Sequence, residues 1–259
     1  MWSPAQYERF RDERKRPFFE LLARVDASAP AQVVDLGCGT GDLTLVLAER
    51  WSSARVTGVD SSEAMVAEAS RRTAPDRVRF ELADLARWTP SAPVDVLVSN
   101  AALHWLPDHP ALLSRLVSLL APGGVLAFQI PANFDAPSHR RIDDVRALPR
   151  FAATLAGVRR GHAQPLDFYE NHLASLGLTV DAWDTTYLHV LQGEDAVLQW
   201  LLGTTLRPVL AALGTEESQA FLDTLRPLLR ADYPASVRGT PFRFTRRFVV
   251  AARREGAHP

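Results

Sequence analysis

Short apolar runs alternate with amphipathic stretches through the first half of the chain. Turn residues bound each run, and the run at 94–100 is almost wholly apolar, which is typical of a central strand. Strands that alternate with helices predict a parallel sheet covered on both faces, and right-handed crossovers make that sheet doubly wound. The strands are predicted at 32–37, 54–60, 78–84, 94–100 and 125–131, and the helices at 5–25, 41–51, 61–73 and 110–124.

The second half of the chain is less regular. Residues 137–148 and 164–176 have helical patterns, whereas 179–191 and 242–254 alternate as strands do. A hairpin between these two strands could close in a few residues, yet about fifty separate them. The intervening residues 194–232 are helical in pattern. We therefore expect an α/β fold with a mostly parallel seven-stranded sheet, an antiparallel last strand and a helical insertion that serves as a substrate lid.

Capping residues and helix breakers refine the predicted helix limits. Ser61 or Ser62 suits the N-cap of the helix at 61–73, and Thr215 suits the N-cap of a later helix. Pro17 is expected to interrupt or kink the first helix. Pro122, with the two glycines after it, is expected to close the helix that begins at 110.

Composition and charge are those of a globular protein. Of its 259 residues, 47% are hydrophobic and 23% are charged, and the formal net charge is −1. That balance gives no general attraction to nucleic acid or to an anionic membrane, and no basic-interleaved aromatic stripe occurs. The N-terminus lacks the apolar region of a secretory signal, and no run of about 18 apolar residues exists, so we expect a cytoplasmic protein. The single cysteine, Cys38, excludes an intramolecular disulfide and a cysteine-rich metal site.

A glycine-rich loop, LGCGTG at 36–41, follows the first predicted strand. In a doubly wound sheet the ligand lies at the carboxyl ends of the strands, where the strand order reverses. Gly37 and Gly39 would let the backbone turn tightly and approach a ligand, with Cys38 as a small residue that fills the loop. Nicotinamide dinucleotides are bound by a G-x-G-x-x-G spacing, whereas the spacing here is G-x-G-x-G.

Three aspartates around this loop indicate the chemistry of its ligand. Asp35 lies within the loop motif, where it would repel a pyrophosphate and attract a cationic group. Asp60 ends the second strand, where a carboxylate can bind ribose hydroxyls, and Asp84 ends the third, placed to accept from the amine of a purine. A ligand with a cationic group, a ribose and an adenine but no phosphates is S-adenosylmethionine. The structural alternatives are that Asp60 is a helix N-cap and that Asp84 is a turn aspartate.

Four motifs together resemble the class I S-adenosylmethionine-dependent methyltransferases: VVDLGCGTG, VTGVDSSEAM, FELADLARW and VDVLVSNAALHWLPD. Over essentially the whole chain, including IPANFDAPSH, LQWLLGTTLRPVL and RRFVVAAR, the sequence is similar to the trans-aconitate 2-methyltransferase family. The resemblance implies a single domain of Rossmann-like methyltransferase fold, with S-adenosylmethionine as cofactor and S-adenosylhomocysteine as product. Its parts would be an N-terminal helical cap (1–30), a cofactor-binding core (31–131) and the lid (194–232). The implied cofactor-binding residues are Asp35, Gly37, Gly39, Asp60, Ser61, Asp84, Leu85 and Asn100.

The resemblance also implies methyl transfer to a carboxylate of trans-aconitate or a similar small polycarboxylate. A carboxylate with a pKa of about 4 is ionised at neutral pH and needs no general base. Catalysis would then rest on alignment and desolvation, with His104 and Trp105 as the residues after the central strand where cofactor and acceptor must meet. Arginine suits such an acceptor because its planar fork binds a carboxylate through paired hydrogen bonds. The candidate acceptor-binding residues are Arg16, His104, Trp105, Asn133, His139, Tyr187, His189, Arg207, and Arg246 or Arg247.

Two other functions stay open on sequence alone. The acceptor could be a C, N or O atom of another small molecule, which would need a base that His104 could supply. The chain could also bind the cofactor without catalysis and act through a partner, although neither a degraded glycine loop nor a missing Asp60 supports this. We expect no metal, no obligate protein partner, and neither nucleic acid nor membrane as a partner.

Overall fold

A computed structural model of the protein describes residues 11–72 and 75–253. The strands are β1 Gln32–Leu36, β2 Arg55–Asp60, β3 Val78–Leu82, β4 Val94–Asn100, β5 Leu120–Pro131, β6 Leu178–Leu191 and β7 Thr240–Arg253. They confirm the predicted seven-stranded sheet, in the order β3-β2-β1-β4-β5-β7-β6. Because β1 pairs in parallel with both β2 and β4, the strand order reverses between β1 and β4. The sheet is mixed, with the antiparallel last strand that the sequence predicts.

Helices connect most of these strands. They are α1 Arg11–Leu22, α2 Asp42–Arg50, α3 Glu63–Ser70, α4 His109–Ser118, α5 Pro137–Arg146, α6 Pro149–Leu155, α7 Leu166–Ser175, α8 Ala196–Leu202, α9 Arg207–Ala212 and α10 Thr215–Asp232. A 3-10 turn, Leu103–Trp105, follows β4. Among the described residues no helix has the length and apolar character to cross a membrane. The predicted start of the first helix, at 5–10, lies outside the described residues.

Pro17 lies inside α1, so the prediction that it interrupts this helix is wrong. A proline inside a helix costs about 3 kcal/mol because it removes one N–H and crowds the preceding turn. Phe18, Leu21 and Leu22 are nevertheless almost wholly buried. Each buried apolar side chain of this size contributes about 1.5–3 kcal/mol, so burial of this face offsets the cost of the proline.

Two other helix limits also differ from the predictions. Thr215 is the first residue of α10, and the N-cap is Gly214, whose backbone is extended. Helix α4 already ends at Ser118, so Pro122 and the glycines after it lie within β5 and do not close the helix. Of the two predicted caps of α3, Ser62 is the one that accepts a hydrogen bond, from the Met65 amide at 3.4 Å.

The chain divides into two compact units. Of the described residues, the core unit comprises those in Pro17–Ile130, in Gln164–Asp184 and from Arg247 to Arg253; the insertion unit comprises those from Arg11 to Arg16, in Pro131–Ala163 and in Thr185–Arg246. The core unit is built on the parallel strands, and β1 and β4 are buried along nearly their whole length, as in a sheet covered on both faces. The domain limits 1–30, 31–131 and 194–232 stay predictions.

The insertion unit has an aromatic hydrophobic core of its own. Trp200 of α8, Phe151 of α6 and Phe221 of α10 are all buried in it. The rings of Phe151 and Phe221 meet edge to face, with centroids 5.2 Å apart. The helical character that the sequence predicts for 194–232 is therefore confirmed, and α5 and α6 belong to the same compact unit.

Candidate functional site

The glycine loop follows β1 and has left-handed backbone at three glycines. φ is +86° at Gly37, +55° at Gly39 and +78° at Gly41, values that L side chains rarely adopt. A Cβ at Gly37 would lie 2.2 Å from that of Ala102, and one at Gly41 would lie 2.7 Å from the Phe80 ring. A Cβ at Gly39 would meet nothing within 4 Å. Gly37 and Gly41 thus make room for protein, and Gly39 is the glycine that faces open space.

Asp60 is held rigidly at the end of β2. One carboxylate oxygen accepts from the Gly39 amide and the other from the Ser62 amide, both at 2.9 Å. Since Ser62 supplies the side-chain cap of α3, the N-cap alternative for Asp60 does not describe this geometry. Each carboxylate oxygen has further lone pairs that can accept from a ligand hydroxyl. Ser61 lies beside it and is exposed.

Asp35 is buried in the core unit. Its carboxylate accepts from the Thr44 hydroxyl of α2 at 2.7 Å. Burial raises the pKa of Asp35 to about 6; the Thr44 hydrogen bond lowers it and the charge of Asp60 raises it. Protein encloses this carboxylate, so its pull on a cation would act through the field and not through contact. Burial also raises the pKa of the Cys38 thiol, in keeping with a small residue that fills the loop.

The remaining predicted cofactor residues lie at the same edge of the core unit. Asp84 follows β3 with a largely exposed side chain, and it accepts from the Ala86 amide at 2.9 Å as a turn aspartate does. Leu85 approaches Gly37, since its Cδ1 lies 3.6 Å from the position of a Cβ there. Asn100 ends β4 and accepts from the Gln129 side chain at 2.6 Å. Carboxyl ends of four parallel strands therefore meet at one polar edge.

A strained turn follows β4 at that edge. Ala101 has φ +55°, a conformation that costs a non-glycine residue about 1–2 kcal/mol and that persists where the surroundings fix it. Ala102 packs against Gly37, and the 3-10 turn Leu103–Trp105 comes next. His104 is buried, and its ring centroid lies 4.7 Å from that of Trp105. The two residues predicted after the central strand thus belong to a turn whose preceding residue, Ala102, packs against the glycine loop.

Asn133 and His139 lie in the insertion unit in buried positions. The Asn133 amide donates to the Thr245 carbonyl at 3.0 Å and accepts from the Thr245 amide at 2.6 Å, so it acts as an extra strand residue beside β7. His139 bonds to the hydroxyls of Ser138 and Thr205, both at 3.3 Å. Burial, together with the positive charge of Arg160, lowers the pKa of His139 to about 4 against the opposing effect of Asp135. His139 is therefore neutral at pH 7.

Tyr187 and His189 lie on β6 in the insertion unit. Tyr187 is buried, and the guanidinium of Arg16 lies 5.0 Å from its ring centroid. The His189 ring is 6.2 Å from the Tyr187 ring and 4.9 Å from the Trp200 ring, measured between centroids. An aromatic cluster of the insertion unit, formed by Tyr187, His189 and Trp200, thus holds both predicted donors, and one predicted arginine lies over it.

The three later candidate arginines have different surroundings. Arg247 makes a paired salt bridge with Asp184, at 2.7 and 2.9 Å, and also donates to the Gln164 carbonyl. Arg246, one residue before it on β7, is only 7% exposed, and its guanidinium lies 4.7 Å over the Phe244 ring. Arg207 is exposed at the first residue of α9. The sequence leaves open Arg246 or Arg247, and the structure separates them.

The sequence did not predict a role for His109 and Tyr169 of the core unit. His109, at the start of α4, bonds to the Tyr169 hydroxyl of α7 at 2.6 Å and to the Leu103 carbonyl at 3.1 Å. The pattern DHP marks a helix start in the sequence, but nothing local in it pairs residues 60 positions apart.

Within residues 11–72 and 75–253, no three His, Cys, Asp or Glu side chains gather as metal ligands.

Known proteins resemble this chain at the level of sequence. A family model described as a methyltransferase domain matches residues 33–124. A protein of Streptomyces coelicolor named trans-aconitate 2-methyltransferase is 48% identical, over 99% of this chain and 88% of that protein. One of Mycolicibacterium gilvum with the same name is also 48% identical, over 97% and 98%. This chain belongs to the trans-aconitate 2-methyltransferase family. The predicted family and the enzyme class, a methyltransferase, are thereby confirmed.

Solved structures agree with this member of the trans-aconitate 2-methyltransferase family in fold. The YcgJ protein of Bacillus subtilis is 16% identical, with a TM-score of 0.59 over 92% of this chain and 98% of that one. An S-adenosylmethionine-dependent methyltransferase from Mesorhizobium loti is 20% identical, with a TM-score of 0.53 over 93% and 98%. The methyltransferase family model ends inside β5, so it covers the glycine loop and the turn after β4. The insertion unit is matched by the trans-aconitate 2-methyltransferase relatives.

Proposed function

We propose that this protein transfers the methyl group of S-adenosylmethionine to one carboxylate of trans-aconitate. The observation that carries the proposal is the 48% identity to relatives of that name, which extends over the insertion unit as well as the core unit. In the reaction a carboxylate oxygen bonds to the methyl carbon as the methyl–sulfur bond breaks. The bonding electrons go to sulfur, so the products are a monomethyl ester and S-adenosylhomocysteine, and no proton moves.

The edge of the core unit fits this cofactor by its own chemistry. Gly39 opens onto space that a side chain would fill, as a loop must if a ligand approaches its backbone. Asp60, fixed by two amide hydrogen bonds, is preorganised to accept from both ribose hydroxyls. Asp84 has an exposed carboxylate oxygen that can accept from the adenine amine. S-adenosylmethionine would supply an electrophilic methyl group at this edge, near the turn that carries His104 and Trp105.

The acceptor is proposed to bind through cations of the insertion unit. Arg246 is favoured because it is almost wholly buried on β7. Arg247 binds Asp184 through two hydrogen bonds, so we assign it a structural role. A buried guanidinium such as Arg246 attracts a carboxylate more strongly than one in water, since the effective dielectric constant is lower. Arg16, held over Tyr187, is the second proposed cation. Arg207, which is exposed, and the lid role of 194–232 stay predictions.

His139 is neutral and adds no charge beside the acceptor. Its two ring nitrogens bond to the hydroxyls of Ser138 and Thr205, so we propose that it orients the Thr205 hydroxyl. No general base is required, since the acceptor carboxylate is ionised at pH 7. The chain's residues would act by alignment and by excluding water from the reacting oxygen. A small acceptor needs no macromolecular docking surface, so we propose an enzyme without an obligate protein partner. We also propose that it is cytoplasmic.

The decisive experiment incubates the purified protein with methyl-labelled S-adenosylmethionine and a panel of di- and tricarboxylates. We expect label on trans-aconitate, found by mass spectrometry, and its loss as methanol after mild alkali, because esters hydrolyse there. An alkali-stable labelled product would instead support a C- or N-methyltransferase. Binding of S-adenosylhomocysteine without transfer to any acceptor would support the non-catalytic alternative.

A further inference from the structure

A buried chain of hydrogen bonds ends at the turn after β4. The Gln164 amide donates to the Tyr169 hydroxyl at 3.0 Å, Tyr169 meets His109 Nδ1 at 2.6 Å, and His109 Nε2 meets the Leu103 carbonyl at 3.1 Å. His109 and Tyr169 are both almost wholly buried. The Tyr169 ring also packs edge to face on Phe128 of β5, with centroids 5.5 Å apart. All of these residues belong to the core unit.

The Leu103 carbonyl, at one end of this series of hydrogen bonds, fixes the position of each proton in it. The Leu103 carbonyl can only accept, so His109 Nε2 carries a proton. With a neutral ring, Nδ1 then accepts from the Tyr169 hydroxyl, whose oxygen accepts from the Gln164 amide. Burial raises the pKa of Tyr169 to about 12, which keeps its hydroxyl proton in place. Every donor in the chain therefore faces an acceptor, as a rigid buried network requires.

The other end of this series of hydrogen bonds is Gln164, a residue at which the polypeptide enters the core unit. Gln164 and Arg247 are the first residues of the core unit after the chain returns to it, and Asp184 is the last before it leaves. Arg247 bonds to both Gln164 and Asp184. Arg247 thus binds two other residues of the core unit, which supports a structural role for it.

Leu103 begins the turn that needs such support. Ala101, just before it, has left-handed backbone, and Ala102 packs on Gly37 of the glycine loop. Inside the turn, the amides of Trp105 and Leu106 donate to the carbonyls of Ala102 and Leu103 at 3.1 and 3.0 Å. The Leu103 carbonyl therefore accepts from within the turn and from His109.

We propose that His109 is a positioning residue, which through Nε2 holds the turn Leu103–Trp105 against the glycine loop and so sets where His104 and Trp105 lie during methyl transfer. The catalytic part of this inference rests on the proposed function. The part that concerns the order of the turn does not.

Two substitutions of similar size separate this role from packing. In His109→Gln the side-chain amide reaches the Nε2 position and can donate to Leu103, but Tyr169 loses its acceptor. In His109→Asn the amide reaches only the Nδ1 position, so Tyr169 keeps a partner and Leu103 loses its donor. Each variant removes one buried hydrogen bond, so their melting temperatures should fall by similar amounts.

We expect kcat with trans-aconitate to stay within about threefold of the parent in His109→Gln and to fall about tenfold or more in His109→Asn, with the acceptor KM little changed. Hydrogen–deuterium exchange gives a reading without activity: the amides of Trp105 and Leu106 should exchange faster in His109→Asn only. Equal kcat losses and equal exchange in the two variants would overturn the proposal. A parent protein that methylates no carboxylate would contradict the proposed function, and exchange alone would then decide whether His109 holds the turn.

Discussion

The cofactor edge of the core unit and the buried polar residues of the insertion unit differ in how their side chains are held. At the cofactor edge, Asp60 and Asp84 each accept from a backbone amide two residues further on, and Asp60 also accepts from that of Gly39, 21 residues earlier. In the insertion unit, Asn133 is held by Thr245, 112 residues away, and His139 by Thr205, 66 residues away. The partners at the cofactor edge lie within about 20 residues of each other, so local motifs reveal them in the sequence. The partners in the insertion unit meet only when distant segments pack together.

The largest effect is expected from a methyl group added to the glycine loop. Gly37→Ala places a Cβ 2.2 Å from that of Ala102 on backbone that disfavours it. We expect a loss of roughly 4 kcal/mol or more of unfolding free energy, measured by urea denaturation, because backbone must move to relieve the clash. The matched variant is Gly39→Ala, whose Cβ meets nothing within 4 Å.

Gly39→Ala should cost only about 1–2 kcal/mol of stability, from the left-handed backbone. It should nevertheless weaken S-adenosylhomocysteine binding about tenfold or more, measured by calorimetry, if a ligand uses that space. Wild-type affinity in a folded Gly39→Ala variant would contradict the assignment of this space to the cofactor.

The two regions should respond to pH with opposite signs. The pKa of Asp35 rises from 3.8 to about 6 on folding, so the folded state holds more protons in that window and stability falls as the pH rises through it. The pKa of His139 falls from 6.5 to about 4, so stability rises with pH between these values. Each shift corresponds to about 3 kcal/mol, and in the parent protein the two slopes oppose each other.

A variant that removes one of these two groups should leave the pH dependence of stability that comes from the other. In Asp35→Asn, unfolding free energy should rise with pH between about 4 and 6.5 relative to the parent; in His139→Gln it should fall across that range. Urea denaturation at several pH values measures both. Profiles parallel to that of the parent would show that the buried groups do not titrate in this way.

Removing the carboxylate proposed to bind the ribose should have a smaller effect, confined to affinity at the cofactor edge. Asp60→Ala loses charge-assisted hydrogen bonds worth roughly 1.5–3 kcal/mol, so S-adenosylhomocysteine affinity should fall about tenfold to a hundredfold. The control is Asp76→Ala, which removes the same charge from an exposed aspartate that lies between β2 and β3 and outside the candidate site. Calorimetry that finds equal affinities in the two variants would remove Asp60 from the ribose site.

The smallest expected effect compares neighbouring arginines. Arg246→Met should raise the KM for trans-aconitate by about tenfold and leave S-adenosylhomocysteine affinity unchanged, as the loss of an acceptor clamp should. Arg247→Met should instead lower the melting temperature, because Asp184 loses its partner. Arg207→Met completes the series. A raised KM in Arg207→Met but not in Arg246→Met would show that the exposed arginine binds the acceptor.

Much of the cofactor edge could be predicted because its determinants are close in sequence. The alternation of strands and helices places three features at strand ends. They are the loop with Gly37, Gly39 and Gly41, the aspartate that ends β2, and the aspartate that follows β3. Even there, the reason for Gly37 was not predictable: the room it leaves is filled by Ala102, which arrives from β4. The caps at Ser62 and Gly214 depend on which backbone geometry each turn adopts.

By itself the sequence determined the doubly wound sheet, the glycine loop, the helical insertion and the methyltransferase family, since periodicity and motif spacing act over a few residues. Only the tertiary structure decided that Arg247 binds Asp184, that Asn133 binds Thr245, and that His109 bonds both to Tyr169 and to the Leu103 carbonyl after β4. Those outcomes depend on side chains that meet across 60 to 112 residues of chain, and the burial that gives them their strength exists only in the packed protein.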